Sequence, residues 1–142
     1  MAGLIGTNIV FQVAFVVKDI EAAKKKFAEF LGVEPRHHIV TEKTPDNIYK
    51  GKSAPDVSCI LAFLDIGPNL EIELIQPNGV ASVWQDVLDE KGEGFHHIAF
   101  KVKDIEESVA ACESFGMECI QRGTGYAYFD ATKDLKCIIE LL

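Results

Sequence analysis

Gln12 to Glu21 reads QVAFVVKDIE and His97 to Glu106 reads HIAFKVKDIE, with seven of ten positions identical at an offset of 85 residues. A duplication constrains the fold strongly, because two copies of one unit must bury their apolar faces around a shared interior. The segments after the two copies are also parallel: AAKKKFAEFLGV (residues 22–33) against ESVAACESFGM (107–117), one residue shorter. Each copy reads as strand, helix, then further strands. Val10 to Val17 is rich in β-formers. Asp19 is a good N-cap for a helix with Ile20, Ala23, Phe27, Phe30 and Leu31 on one face, and Gly32 is placed to stop it. In the second copy Asp104 caps a helix carrying Ile105, Val109, Cys112 and Phe115, with Glu107 at capping-box spacing and Gly116 at the end.

Three strand candidates come after each helix, near 36–42, 57–65 and 70–76, then near 118–122, 125–130 and 136–141. Residues 43–56 (KTPDNIYKGKSAPD) are polar with two prolines and a glycine, and predict a mobile loop. Residues 81–91 (ASVWQDVLDEK) predict a short linking helix. The reading is an α+β fold of two βαβββ modules forming a concave mixed sheet, one domain over 1–142 built from repeats 8–77 and 94–142.

Composition narrows the function classes. The 142 residues carry 14 Lys and Arg against 22 Asp and Glu, a net charge of -8. Nucleic-acid binders usually carry the opposite excess, and anionic lipid is disfavoured for the same reason. No apolar run reaches transmembrane length and the N-terminus lacks a basic n-region, so a cytoplasmic protein is expected. Cys59, Cys112, Cys119 and Cys137 form no C-x-x-C pair and sit in apolar stretches, as reduced thiols do.

Strand alternation then sorts the side chains. Phe11, Val13, Phe15 and Val17 share one face, as do Ile98, Phe100 and Val102, and these should pack under the helices. The opposite, open face carries Gln12, Ala14 and Val16 in one copy and His97, Ala99 and Lys101 in the other. The last strands repeat the theme: EIELI (71–75) and IIELL (138–142) place Glu73 and Glu140 at equivalent positions between apolar neighbours. A carboxylate inside such a strand is costly to desolvate unless paired or metal-bound. Gln12, Glu73, His97 and Glu140 thus form two symmetric pairs. Converging around one concavity, they would supply an imidazole nitrogen and three oxygens to a divalent ion (Zn, Ni, Co or Mn). Taken singly, each has a plainer reading as a satisfied strand polar group, and Glu71 reads as edge-strand polarity. The repeat symmetry is what favours a metal site. His37 and His38 lack that symmetry and read as loop residues. Lys24, Lys25 and Lys26 read as a solvated helix face.

On the segments FQVAFVVKDIEAA, LEIELIQP, GEGFHHIAFKVKDIE and IIELL, the chain resembles the vicinal oxygen chelate superfamily, which includes glyoxalase I, methylmalonyl-CoA epimerase, extradiol dioxygenases and bleomycin-resistance-type binding proteins. The resemblance spans nearly the whole chain. It implies a glyoxalase-like fold, a homodimer, and metal ligands at Gln12, Glu73, His97 and Glu140. GEGFHHIAF with the downstream IELL looks most like methylmalonyl-CoA epimerase, whereas the ligand set Gln, Glu, His, Glu is similar to that of zinc-type glyoxalase I (lactoylglutathione lyase). Gln12 at the first ligand position argues against a dioxygenase.

Both leading relatives imply abstraction of a proton next to the carbonyl of a thioester or thiohemiacetal; a glyoxalase-like member would use Glu140 and Glu73 in turn as acid/base groups, and an epimerase-like one Glu140 with a second group on the other face. For an epimerase, Asp56 is a candidate second group. The alternative is a metal-free small-molecule-binding protein whose cavity is lined by Trp84, Tyr126, Tyr128 and Phe63. Substrate choice is expected to lie in 43–56 and the 121–126 turn, with no compact basic cluster beside the cleft.

Overall fold

The computed structural model describes residues 3–142. β1 (Val10–Val16) runs into α1 (Ile20–Leu31), and β7 (Gly94–Phe100) runs into α3 (Ile105–Ser114). Both helices start on the aspartates of the repeated KDIE. Asp19 accepts a hydrogen bond from the Ala22 amide at 3.0 Å, and Asp104 accepts one from the Glu107 amide at 3.0 Å. Gly32 ends α1 in the left-handed conformation at φ 68°, which no β-carbon opposes.

The remaining strands are β2 (Ile39–Val40), β3 (Ile48–Tyr49), β4 (Lys52–Ser53), β5 (Cys59–Ile66), β6 (Leu70–Pro77), β8 (Glu118–Gly123), β9 (Tyr126–Ala131) and β10 (Cys137–Leu141). They form one mixed sheet in the order β2-β5-β6-β1-β7-β10-β9-β8-β3-β4. β1 pairs parallel with β6, and β7 pairs parallel with β10. The two first strands meet each other antiparallel at the centre. The order β1-β6-β5-β2 in one half is therefore matched by β7-β10-β9-β8 in the other. The fold class is α+β, as the repeat implied.

Residues 43–56 depart from the loop reading. They carry the small hairpin β3–β4, which adds to the far edge of the second half through Ile48–Arg122 and Tyr49–Gln121 pairing. β2, at one edge of the sheet, and β3, near the other, are separated by a stretch whose reach is about 27 Å at full extension. The sheet must curl for that connection to be made. Tyr126 Oη donates to Asn47 Oδ1 at 3.1 Å and Thr124 Oγ1 to Asp46 Oδ2 at 3.0 Å, fastening the crossing segment over the concavity. The predicted strand 36–42 is correspondingly reduced to Ile39–Val40, because the chain leaves the edge to make this crossing.

α1 and α3 pack on the outer, convex face. Val17, Ile20, Ala62, Leu64, Ile72 and Leu74 form the core under α1, and Val109, Cys112, Met117, Phe129, Ile139 and Leu141 form the core under α3. α2 (Val83–Lys91), capped by Ser82, packs at the concave side, where Val83 and Trp84 join Ala14, Ile75 and Tyr128. This corrects the expectation of an open face: Gln12, Ala14 and Val16 are all buried. Phe30, expected under α1, is instead 87% exposed, and it is Phe27 that packs against Phe15, with ring centroids 5.6 Å apart. The four cysteines are free thiols. No helix among the described residues is long and apolar enough to cross a membrane.

Candidate metal centre

The repeat sets the geometry of the site through its alanines. Ala14 on β1 lies between Glu73 on β6 and His97 on β7. Ala99 on β7 lies between Gln12 on β1 and Glu140 on β10. Neither methyl group fills its column, so the long side chains on both sides lean over it toward the middle. His97 Nε2 lies 3.0 Å from Gln12 Oε1, 2.8 Å from Glu140 Oε2 and 3.5 Å from Glu73 Oε2. One ligand atom each from Glu73, His97 and Glu140 fall within 4.8 Å of one another, and all three residues are buried. The structure thus brings the four sequence-nominated side chains to one point.

Their chemistry suits a small cation. Glu73 Oε2 and Glu140 Oε2 are buried and make no hydrogen bond, despite the proximity of the latter to the imidazole. Two unpartnered carboxylate oxygens beside an imidazole nitrogen and an amide oxygen are costly in a dry interior and favourable around a divalent ion. Burial, and then the neighbouring Glu140, push the Glu73 carboxyl well above its ordinary range. A divalent ion would reverse that balance and hold both carboxylates ionised.

The ligands are oriented from behind. Gln12 Nε2 donates to Glu71 Oε1 at 2.9 Å, which turns the amide oxygen toward His97. Glu71 Oε2 is in turn gripped by Arg36, whose guanidinium stacks 4.8 Å above the Phe63 ring and also approaches Asp65. Glu71 is therefore tied into the site, against its reading as edge polarity. It sits two residues before Glu73 on the same strand face, and that spacing is the signal the sequence offers for it.

Two bulges in the β1–β7 pairing add residues that alternation misassigns. Val10 pairs with Phe100 and Gln12 with Ala99, leaving Phe11 as the extra residue of β1. Its ring lines the cavity beside Gln12, not the core under the helices, and Lys101 Nζ lies 4.6 Å from its centroid. Ala14 pairs with His97 and Phe15 with Phe95, leaving His96 as the extra residue of β7. His96 is thereby turned to the same side as His97.

The cavity above these ligands has a volume of about 770 Å³. Trp84, Tyr126, Tyr128 and Phe63 all line it, together with Thr41, Asn47 and Leu61 from the crossing segment and its neighbours. Trp84 Nε1 donates to Tyr128 Oη at 3.1 Å, and the Tyr128 ring stands edge-on to His97 at 5.0 Å. Burial pushes Tyr126 up to about 12 and Tyr128 well above its ordinary value, so both phenols stay protonated. Arg36 and Lys101 are the cations at the rim. Asp56 lies on the surface and is not among the residues lining the cavity. His37 and His38 are exposed, and Lys24, Lys25 and Lys26 pair with Glu21 and Glu29 along α1.

Residues 11–133 match the family model of the glyoxalase/bleomycin resistance protein/dioxygenase superfamily. The chain belongs to that superfamily. No curated protein matches the sequence. Among solved structures, methylmalonyl-CoA epimerase from Mycobacterium tuberculosis is similar at 21% identity and a TM-score of 0.69, over 93% of this chain and 85% of that one. A variant of methylmalonyl-CoA epimerase from Streptomyces coelicolor, in complex with 2-nitronate-propionyl-CoA, is similar at 22% identity and a TM-score of 0.70, over 93% and 91%. A hypothetical protein from Bacillus halodurans is similar at 25% identity and a TM-score of 0.69, over 95% and 93%. At these identities the epimerase structures establish the shared fold.

Proposed function

We propose that this superfamily member is a divalent-metal-dependent isomerase that moves a proton on the carbon next to a carbonyl, in a thioester or thiohemiacetal substrate. The observation that carries the reading is the pair of buried, unpartnered carboxylate oxygens of Glu73 and Glu140 beside His97 Nε2. Epimerases of the same fold are similar over nearly the full chain, which supports an epimerase-like substrate. The two carboxylates fit a lactoylglutathione-lyase-like substrate equally well.

Gln12, Glu73, His97 and Glu140 would hold the ion. When bound, the ion supplies Lewis acidity to a carbonyl oxygen, which lowers the cost of removing the adjacent proton. Glu140, loosened from the ion, would take that proton, and Glu73, loosened in its turn and carrying a proton of its own, would deliver it from the other half of the molecule, so that one of the two carboxyls is protonated before and after turnover. Away from the ion, burial raises the proton affinity of Glu73, which suits it to carry the proton that is returned. Trp84, Tyr126 and Phe63 exclude water from the reacting carbon, and Arg36 and Lys101 at the rim suit an anionic substituent of the substrate. A homodimer is part of the same proposal.

The test is metal analysis of the purified protein, then assays with methylmalonyl-CoA and with the glutathione hemithioacetal of methylglyoxal. Tight retention of a divalent ion with turnover of either substrate is the expected result. Failure to retain any ion after reconstitution overturns the enzyme reading. It leaves a binding protein that uses the same aromatic cavity.

A further inference from the structure

His96 is 2% exposed, makes no direct approach to the carboxylates, and has no role in the proton transfer proposed for Glu73 and Glu140. Its two ring nitrogens are nevertheless both engaged. Nε2 lies 3.1 Å from the Val83 carbonyl oxygen at the start of α2, and Nδ1 lies 2.8 Å from Nδ1 of His97. The two rings stand nearly perpendicular, at 85°.

These contacts fix the proton positions. A carbonyl oxygen can only accept, so His96 Nε2 carries a proton. The two Nδ1 atoms at 2.8 Å can hold only one proton between them, with one donating and the other accepting. If His96 were the donor it would be a doubly protonated cation in a sealed interior. If His97 is the donor, His96 is neutral and both of its own ring nitrogens are satisfied. A His97 that keeps its one proton on Nδ1 and donates it in a hydrogen bond to His96 has its lone pair on Nε2, and Nε2 is the atom facing Gln12, Glu73 and Glu140.

We propose that His96 is a positioning residue that holds the His97 proton on Nδ1 and so presents His97 Nε2 as a lone pair to the cation. The chain of hydrogen bonds runs from His97, the donor, through His96 to the accepting Val83 carbonyl, and couples the metal centre to the start of α2. The β7 bulge is what makes this possible, because it turns two adjacent histidines to one side of the strand. A metal-binding histidine is generally locked in this way through its second nitrogen, and loss of such a partner typically weakens metal affinity about 10–100-fold. The proposal rests on the reading of Gln12, Glu73, His97 and Glu140 as a metal centre.

Long-range proton–nitrogen NMR of the metal-free protein, labelled with nitrogen-15 at histidine, tests it directly. The expected result is a protonated Nδ1 at His97 and an unprotonated Nδ1 at His96. A bare Nδ1 at His97 overturns the proposal, whatever the metal result. Competition titrations with Zn²⁺ and Co²⁺ give the second readout. His96→Phe is expected to weaken binding about 10–100-fold. His96→Asn, whose side-chain oxygen can stand in for the accepting nitrogen, is expected to recover most of that loss. Wild-type affinity in a folded His96→Phe protein overturns the proposal. Failure of the wild-type protein to bind either ion sinks the proposed function instead, and the NMR assignment still decides the proton position.

Discussion

The two halves of this molecule present their neutral ligands from equivalent strands but anchor them in opposite directions. Gln12 is held from the outside: its amide leans on Glu71, and Glu71 on Arg36, whose side chain is 47% exposed. His97 is held from the inside, through His96 to the Val83 carbonyl, with both rings buried. Duplication therefore preserved where a ligand stands, while the means of aiming it diverged. An anchor that ends on an exposed guanidinium is screened by salt, and one that ends on a buried carbonyl is not.

The largest expected break in this comparison comes from the ligand that the inner anchor serves. His97→Ala removes the single nitrogen donor and should lower turnover on the order of 10³-fold, with loss of retained metal measured by elemental analysis. Glu73→Gln acts on the carboxylate pair that bridges the halves. Its expected effect on the metal-free protein is stabilisation, and the sign comes from protonation. The folded state holds the Glu73 proton well above the ordinary 4.5, whereas the unfolded chain releases it there. Wild-type stability therefore falls as pH rises from about 4.5 through the higher folded-state value. The amide has no proton to lose. Denaturant titrations at pH 8 should show the variant ahead on the order of 1–3 kcal/mol, the cost of an unpartnered buried polar group. The advantage should vanish below pH 4, and an advantage independent of pH would refute the assignment.

The helix caps sharpen the comparison, since here the halves should behave alike. Asp19→Ala and Asp104→Ala are each expected to cost about 1 kcal/mol in thermal or chemical unfolding. A marked inequality would show that one half carries more of the stability. Smallest of all is the outer anchor. Arg36→Met should reduce metal affinity about threefold at low ionic strength and less in high salt. A loss as large and salt-independent as that expected for His96→Phe would erase the distinction between the two anchors.

Much of the architecture is legible in the sequence because it depends on short-range signals. KDIE announces a strand end, a cap and a helix twice over, and Gly32 needs only its own φ to stop α1. The convergence of Gln12, Glu73, His97 and Glu140 can be posed from repeat equivalence and a period of two. Phe11 and His96 escape that reasoning because a bulge inserts one residue and resets the period, and nothing local marks where it falls. The β3–β4 hairpin is hidden because its partner, β8, lies far along the chain, with Ile48 pairing to Arg122. Two-residue strands carry too little pattern to be seen without that partner.

Duplication and alternation together determine which side chains share a column of the sheet, because both are properties of the covalent chain. Whether those columns face water or a closed cavity is decided only when residues 41–47 cross between the sheet edges and α2 packs on the concave side. Desolvation depends on everything that surrounds a group. The buried character of Glu73 and Glu140, and with it their fitness for a cation, belongs to the tertiary structure alone.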